Sequence, residues 1–90
     1  MDYLKYEEQR QKLEKALDWP NLYMFKFIVP AKKKKVDQIR ALFDEDADIR
    51  MKRSSHGNYV SVTIKKLMFR PESILNIYQK TSNIEGLIPL

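Results

Sequence analysis

The chain has 90 residues, of which 43% are hydrophobic and 32% are charged, and its formal net charge is +5. This length fits one domain, near the lower limit for a core that folds without covalent staples. The absence of cysteine excludes disulfides, thiolate metal sites and cysteine nucleophiles. It also favours a cytoplasmic location, because small secreted domains usually carry disulfides. The polar N-terminus is unlike a signal peptide, and no apolar run approaches the roughly 20 residues that span a bilayer, so no membrane association is expected.

The basic excess lies in two segments that contain no acidic residue, 19–36 and 49–71. Both segments consist mainly of predicted strands and their connections, whereas most acidic residues lie in predicted helices. A solvated surface that keeps the protein soluble would produce this pattern. A positively charged sheet face that attracts an anionic partner would produce it equally well, so both interpretations stay open.

The first predicted element is a helix over residues 3–17. Its expected inward stripe consists of Tyr3, Tyr6, Leu13 and Leu17. Pro20 follows the helix and disfavours helical geometry in the residue before it. A strand is then predicted over residues 22–29. One side of this strand contains Lys26, so we expect the other, aromatic side to face the core. That side consists of Tyr23, Phe25, Phe27 and Val29.

Five further elements complete the prediction. Pro30 and Ala31 are expected to open a helix that runs to about residue 43, and strands over 47–53 and 58–66 follow it. A second core helix begins near Pro71, since proline is favoured in the first turn, and an apolar strand over 84–90 ends the chain. The expected inward residues are Val36, Ile39, Leu42, Phe43, Ile49, Met51, Ile74, Ile77 and Tyr78, with Leu75 at the margin.

The order β-α-β-β-α-β predicts an α+β fold, the ferredoxin-like βαββαβ sandwich. Two right-handed crossovers around a central hairpin place both helices on one face of a four-stranded antiparallel sheet. Residues 1–18 then form an N-terminal helical extension, and residues 19–90 form the ferredoxin-like domain. The other sheet face is free unless the N-terminal helix covers it. In the predicted phase this face carries Met24, Lys26, Ile28, Arg50, Lys52, Tyr59, Ser61, Thr63 and Lys65.

The connection between the second and third strands has the most distinctive sequence. Residues 53–63 read Arg-Ser-Ser-His-Gly-Asn-Tyr-Val-Ser-Val-Thr. Serine, glycine and asparagine favour turns, and the last two tolerate positive φ at low steric cost. Strict alternation begins at Tyr59, which is typical of a half-buried strand leaving a tight hairpin.

A family resemblance rests on two motifs. The first is an aromatic-proline pair, Trp19-Pro20, before a strand that begins Tyr23-x-Phe25-Lys26. The second is the hairpin, Ser54-Ser55-x-Gly57-Asn58-Tyr59-x-Ser61-x-Thr63. Over residues 13–90 the chain resembles the YbeD-like family of small uncharacterised bacterial proteins. The resemblance implies a ferredoxin-like domain, similar to small-molecule-sensing ACT domains, with a regulatory or binding role and no established reaction. Two features depart from the family pattern, namely the longer charged N-terminal helix and the Lys32–Lys35 run.

The side chains give little support for catalysis. His56 is the only histidine, and no acid lies near it in sequence to orient it as a general base. Ser54, Ser55 and His56 are consecutive, so we expect them to form turn hydrogen bonds. One histidine without cysteine is also a poor set of metal ligands. We therefore expect neither an enzyme nor a cofactor.

Two further anion-binding interpretations stay open. The Lys32–Lys35 run lies at a predicted helix N-terminus, where backbone amides bind anions, although solvated lysines that splay apart explain it as well. An RNA-binding module of RRM-like architecture is the alternative function, because such modules share this fold and bind RNA on the free face. They need stacking aromatics on the two central strands, and Tyr59 is the only one available here. Nucleic acid is therefore not the favoured partner.

The sequence favours a non-enzymatic regulatory or binding domain. We expect it to take a protein partner or a small anionic ligand on its basic sheet face and hairpin, and the oligomeric state is left open. Met24 and Ile28 on the same face favour a protein partner. The final strand is a second candidate surface because it lies at a sheet edge, although Pro89 blunts that edge. The candidate binding residues are Lys26, Arg50, Lys52, Ser54, Ser55, Gly57, Asn58, Tyr59 and Ser61.

Overall fold

The computed structural model describes residues 3–90, which form three helices and one four-stranded sheet. In chain order the elements are α1 (Tyr3–Ala16), β1 (Asn21–Pro30), α2 (Lys33–Arg40), β2 (Asp48–Arg53), β3 (Tyr59–Met68), α3 (Pro71–Thr81) and β4 (Ile88–Pro89). The predicted α+β, ferredoxin-like fold is confirmed. The first two residues of the proposed N-terminal extension, 1–18, lie outside the described residues. No helix within residues 3–90 has the length and apolar character needed to cross a membrane.

The sheet has the strand order β2-β3-β1-β4, and every pairing is antiparallel. β1 and β3 pair along their whole length, from Asn21 opposite Met68 to Pro30 opposite Tyr59. β2 pairs with the other side of β3 from Asp48 opposite Lys65 to Arg53 opposite Val60. The hairpin between β2 and β3 therefore lies at the same end of the sheet as the C-terminus of β1.

The aromatic side of β1 faces the helices, as predicted. Phe25, Phe27 and Val29 are fully buried, and Val62 and Ile64 lie beside them on β3. The ring centroids of Phe25 and Phe43 are 5.4 Å apart in an edge-to-face arrangement, a geometry that aromatic pairs prefer. Because side chains alternate along a strand, this packing leaves Lys26 on the opposite, free face.

α2 is shorter than the predicted helix, which was expected to open at Pro30 and Ala31 and to run to about residue 43. Pro30 still belongs to β1, and the Ala31 amide donates to the Asn58 carbonyl at 2.9 Å, so the chain is extended through this point. Turns follow Arg40. Three of the four predicted inward residues, Val36, Leu42 and Phe43, are only partly buried against the core, and Ile39 is fully buried.

The predicted final strand over residues 84–90 is also wrong in length, because only Ile88 and Pro89 pair with β1. Turn hydrogen bonds replace the strand before that point: the Ile84 amide donates to Thr81, and the Leu87 amide donates to Ile84. Gly86 has a φ of +84° within this turn. Ile84 is nevertheless buried, so its apolar character serves the core rather than a strand.

Three burial expectations and one helix boundary differ in the structure. Tyr3 and Met51 were expected inward, but they are 72% and 42% exposed. Tyr3 lies in the first turn of α1, and Met51 lies on edge strand β2, where helix cover is incomplete. Leu75 was placed at the margin and is buried. Pro30 was predicted to open a helix and instead pairs with Tyr59.

α1 packs on the helical side of the sheet. Its Arg10 lies 3.4 Å from Glu72 of α3 and 2.6 Å from Glu7 of its own helix, and Leu13 packs against the core. The helix ends before a cis peptide bond between Trp19 and Pro20. α1 therefore leaves the opposite face of the sheet uncovered.

Candidate functional site

The free sheet face is the surface of the sheet opposite the helices. Its side chains come from alternate residues of β1, β2 and β3, and the register arranges them in cross-strand rows. One row places Thr63 between Lys26 and Arg50, and the next places Ser61 between Ile28 and Lys52. The Cα atoms of Lys26 and Arg50 are thus about 10 Å apart, which is two interstrand spacings. The predicted composition of this face is confirmed by the register.

The cations of this face differ in their electrostatic surroundings. The Nε of Arg50 lies 3.5 Å from the Asp48 carboxylate, and both side chains are exposed. Within the described residues, no carboxylate lies within ion-pair distance of Lys26 or Lys52. Lys65, on the same face opposite Met24, also has no ion pair among the described residues. The positive charge available to a partner therefore comes mainly from Lys26, Lys52 and Lys65.

Apolar side chains flank the charged centre of the free sheet face. Leu22 is 66% exposed and lies directly opposite Leu67 on β3. Met24 is 54% exposed in the neighbouring row. At the other end, Ile88 of β4 is opposite Ile28 of β1 and is half exposed. Contiguous exposed apolar groups of this kind mark interaction surfaces more often than scattered ones do.

The hairpin is closed by hydrogen bonds that use Ser54 three times. The Ser54 amide donates to the Tyr59 carbonyl at 2.8 Å, and its carbonyl accepts from the Gly57 amide at 2.9 Å. Its hydroxyl oxygen accepts from the Tyr59 amide at 3.2 Å. Gly57 has a φ of +75°, which glycine adopts at low cost. Ser54 and Gly57 therefore shape the turn, and Asn58 attaches it to Ala31 through its carbonyl.

A concavity of about 500 Å³ lies between the hairpin and the end of the free sheet face, and we call it the hairpin concavity. Two cations and several hydroxyl groups surround it, together with one aliphatic side chain. Its lining residues are Ile28, Lys52, Arg53, Ser54, Ser55, Tyr59 and Ser61. The Ser61 hydroxyl donates to the Lys52 carbonyl at 3.3 Å and thereby ties the two strands together at its floor.

The structure brings together only part of the predicted site. Five predicted residues line the hairpin concavity, namely Lys52, Ser54, Ser55, Tyr59 and Ser61. Lys26 and Arg50 lie on the same face but in the next row, and Gly57 and Asn58 belong to the turn. Sequence reasoning missed Arg53 and Ile28 as lining residues. The position of Ile28 opposite Ser61 was available from the predicted phase, whereas Arg53 faces the core side by alternation and reaches the concavity only because the strand ends there.

Among the groups outside the free sheet face with shifted pKa values, Tyr78 and Asp44 connect different elements of the fold. Burial raises the pKa of Tyr78, and the hydrogen bond between the Tyr78 and Tyr23 hydroxyls at 3.0 Å adds to this effect. The Lys66 ammonium, 2.6 Å from Asp44, lowers the pKa of that carboxyl mainly by hydrogen bonding. Both interactions attach elements of the fold to each other. No group of three or more potential metal ligands occurs within residues 3–90.

The Lys32–Lys35 run behaves as a solvated helix start. Lys32 is the N-cap of α2, and its side chain makes no capping hydrogen bond. Lys33 lies 2.8 Å from Asp37 one turn later, and both groups are exposed. The Lys33–Asp37 pair does not build an enclosed anion site.

Comparison with known proteins supports the motif-based resemblance. The family described as protein of unknown function DUF493 matches residues 14–88. The chain belongs to this family. A UPF0250 protein of Buchnera aphidicola subsp. Baizongia pistaciae is 34% identical over 80 residues, and a UPF0250 protein of Shewanella oneidensis is 29% identical over 80 residues. Each alignment covers 84% of this chain and 91% of the relative. No solved structure matches the chain significantly.

The family match covers the features on which the resemblance was based. It includes the Trp19-Pro20 pair, the first strand and the whole hairpin, and it begins within the last turn of α1. The predicted membership in the YbeD-like family is confirmed. The description of the family names no reaction.

Proposed function

We propose that this protein is a non-enzymatic, cytoplasmic binding domain with a regulatory role, and that its free sheet face binds a protein partner. One observation carries the proposal: the face combines exposed apolar side chains with lysines that have no carboxylate partner among residues 3–90. α1 packs against α3 and so leaves this surface accessible. Leu22, Met24 and Ile88 would supply the apolar contacts of the interface.

The charge of the face selects the kind of partner. Lys26 and Lys52 would pair with carboxylates on a partner, and complementary charge raises association rates and fixes orientation. A second copy of the chain would bring the same lysines face to face. A partner with an acidic surface and apolar side chains at its centre is therefore preferred over self-association through this face.

The hairpin concavity supports a second candidate function, the binding of a small anionic ligand. Its volume of about 500 Å³ is within the range of small-molecule sites. Lys52 and Arg53 would neutralise a carboxylate or phosphate group. Ser55 and Tyr59 also line the concavity, and their hydroxyls would exchange hydrogen bonds with that group. The apolar body of such a ligand would lie against Ile28.

The central test replaces two of the three unpaired lysines of the free sheet face, Lys26 and Lys52, by glutamine. We expect the Lys26→Gln, Lys52→Gln protein to fold normally and to have equal or slightly higher stability, because like charges on one face of the sheet repel. Partners recovered from the native cell should be lost. Isotope-labelled pull-down followed by mass spectrometry measures how much of each partner the variant recovers relative to the wild type.

A matched control removes the same charge from another surface. Lys5 and Lys15 are exposed residues of α1, so Lys5→Gln, Lys15→Gln should retain the partners. Equal recovery by all three proteins would remove the free sheet face as the functional site. Loss of small-anion binding in the Lys52→Gln protein, with unchanged protein partners, would instead favour the hairpin concavity.

A further inference from the structure

β1 has an open backbone edge along half of its length. On the β4 side, pairing is restricted to Phe27 and Ile28, and one further bond runs from the Leu90 amide to the Lys26 carbonyl at 2.8 Å. Antiparallel strands direct the backbone groups of successive residues to opposite sides. The odd-numbered residues of β1 bond to β3, as the Ala31 amide does to Asn58, so the even-numbered residues face the β4 side.

Leu22 and Met24 therefore direct their amide and carbonyl groups toward a position that no strand within residues 3–90 occupies. Solvent satisfies these groups in the free protein, and an added strand would satisfy them in a complex. An open edge of this kind is a template for pairing with another chain. The ends of β1 differ in this respect, because β4 already covers the C-terminal half.

An apolar groove of about 450 Å³ runs beside this open edge, and we call it the edge groove. α1 and α3 form its floor, and the end of β4 closes one side. Its lining residues are Gln9, Lys12, Leu13, Tyr23, Leu75, Tyr78, Pro89 and Leu90. Because Tyr23 faces the helices, a strand residue placed opposite Tyr23 or Phe25 would direct its side chain into this groove.

We propose that the edge groove and the open edge of β1 together bind an extended segment of a partner protein, which adds to the sheet beside residues 21–25. The backbone of the segment would exchange hydrogen bonds with Leu22 and Met24. Alternate apolar side chains of the segment would fill the groove. In strand addition the backbone hydrogen bonds usually provide affinity, and the side-chain contacts provide specificity. The site borders the free sheet face at Leu22, Met24 and Lys26. It uses the backbone edge of β1 and the groove on the helix side of the sheet, so the proposal does not depend on the proposed function.

Charge complementarity defines the chemistry of that segment. Within residues 3–90, Lys12 is the only residue with a charged side chain that lines the edge groove. Lys26 follows the open part of β1 and projects onto the free sheet face. An acidic segment satisfies both cations. The exposed edge strand of a second copy, β2, instead carries Arg50, Lys52 and Arg53, so it would place like charges against these lysines.

The test is a selection from a random heptapeptide phage library on the immobilised wild-type protein, with the Met24→Pro protein as counter-target. Proline at position 24 removes the amide hydrogen that faces the open edge, and it leaves the hydrogen bonds between β1 and β3 intact. Pro30 already occupies an equivalent even-numbered position in β1. We expect enriched peptides with alternating apolar residues and at least one Asp or Glu. Their affinity should fall about tenfold or more in Met24→Pro, since a backbone hydrogen bond is lost and the ring obstructs pairing.

Met24→Ala is the matched control because it removes the same exposed side chain and keeps the amide. It should bind the selected peptides within about threefold of wild type, and Lys52→Gln should bind them equally well. In the wild-type protein, a selected peptide should slow hydrogen exchange of the Leu22 and Met24 amides, a measurement that stands even if Met24→Pro fails to fold.

Three results would overturn the proposal. The first is that no peptide is enriched on the wild type, and the second is that the enriched peptides bind without slowing exchange at Leu22 and Met24. A wild-type dimer in sedimentation that Met24→Pro converts to a monomer would assign the edge to a second copy.

Discussion

Lys26 is the residue that reveals the orientation of β1. One side of the strand combines it with Leu22, Met24 and Ile28, which are all apolar, so hydrophobicity alone would not separate the two sides. Burying an unpaired ammonium is far more costly than exposing a few aliphatic groups. The structure agrees: Phe25 and Phe27 are fully buried, while Leu22 is 66% exposed.

Phe27→Ala tests this orientation through the free energy of unfolding. The side chain is fully buried and contacts Phe25 and Tyr78, so its truncation should cost about 3–5 kcal/mol. Phe69 is 68% exposed, and Phe69→Ala should change stability by less than about 0.5 kcal/mol. Urea denaturation measures both. A loss below about 1 kcal/mol for Phe27→Ala would mean that the aromatic side is exposed.

Tyr78 predicts how stability changes at high pH. Its pKa is raised in the folded state, mainly because burial disfavours the phenolate. In the unfolded chain the pKa of tyrosine is about 10. Above that pH the unfolded chain loses the proton more readily than the folded protein, so the free energy of unfolding falls as the pH rises. Between pH 9 and pH 11 the urea midpoint of the wild type should therefore fall more steeply than that of Tyr78→Phe. Parallel curves for the two proteins would contradict the assignment.

At the scale of elements, the hairpin and the segment before β4 both depend on glycine but for different reasons. Gly57 has a φ of +75°, and a Cβ added there would be 3.9 Å from the nearest atom, Cδ of Arg53. Gly86 has a φ of +84°, and a Cβ there would be 2.9 Å from Cγ of Pro30. The first position demands only a backbone conformation, whereas the second also demands space.

Alanine substitutions should separate these two demands. Gly57→Ala should cost about 1–2 kcal/mol, the penalty of a left-handed conformation for an L-residue. Gly86→Ala should cost more, because the ring of Pro30 belongs to β1 and has little freedom to move. Urea unfolding of the two variants makes the comparison. Equal losses would show that the turn before β4 relaxes away from Pro30.

The element boundaries that sequence reasoning missed share a physical cause. The apolar residues 84, 87, 88 and 90 are consistent with a strand, but hydrogen bonds after α3 turn the chain until Ile88. The start of α2 is delayed because β1 continues through Pro30 to pair with Tyr59. In both places a tertiary contact overrides a local preference.

At the scale of the whole molecule, the net charge of +5 predicts weak attraction to any polyanion. Of the free sheet face residues, Tyr59 alone offers an aromatic ring, and stacking contributes about 1–3 kcal/mol per base. We therefore expect binding to single-stranded RNA to be weak and independent of sequence. It should disappear near physiological salt, because released counterions supply nearly all of the affinity.

Fluorescence anisotropy with labelled oligonucleotides at several salt concentrations measures this dependence. Tyr59→Ala should leave the weak binding unchanged. Submicromolar affinity at physiological salt, lost in Tyr59→Ala, would contradict the preference for a protein partner and support the RNA-binding alternative.

The sequence by itself determined the strand phases, the ferredoxin-like order, the family and the composition of the free sheet face. These properties follow from two-residue periodicity, from the position of Lys26 and from the local chemistry of the hairpin, all of which act over short distances along the chain. The nine predicted site residues all lie on that face or in its hairpin, because the register follows from the same periodicity.

Only the tertiary structure decided which of those residues share a cavity and which backbone groups are unpaired. The approach of Arg53 to the hairpin concavity, the contact of Asp48 with Arg50 and the packing of α1 on α3 depend on side-chain reach and helix placement. The open edge beside Leu22 and Met24 exists because β4 is two residues long. Such features depend on distances between segments far apart in sequence, which no local pattern encodes.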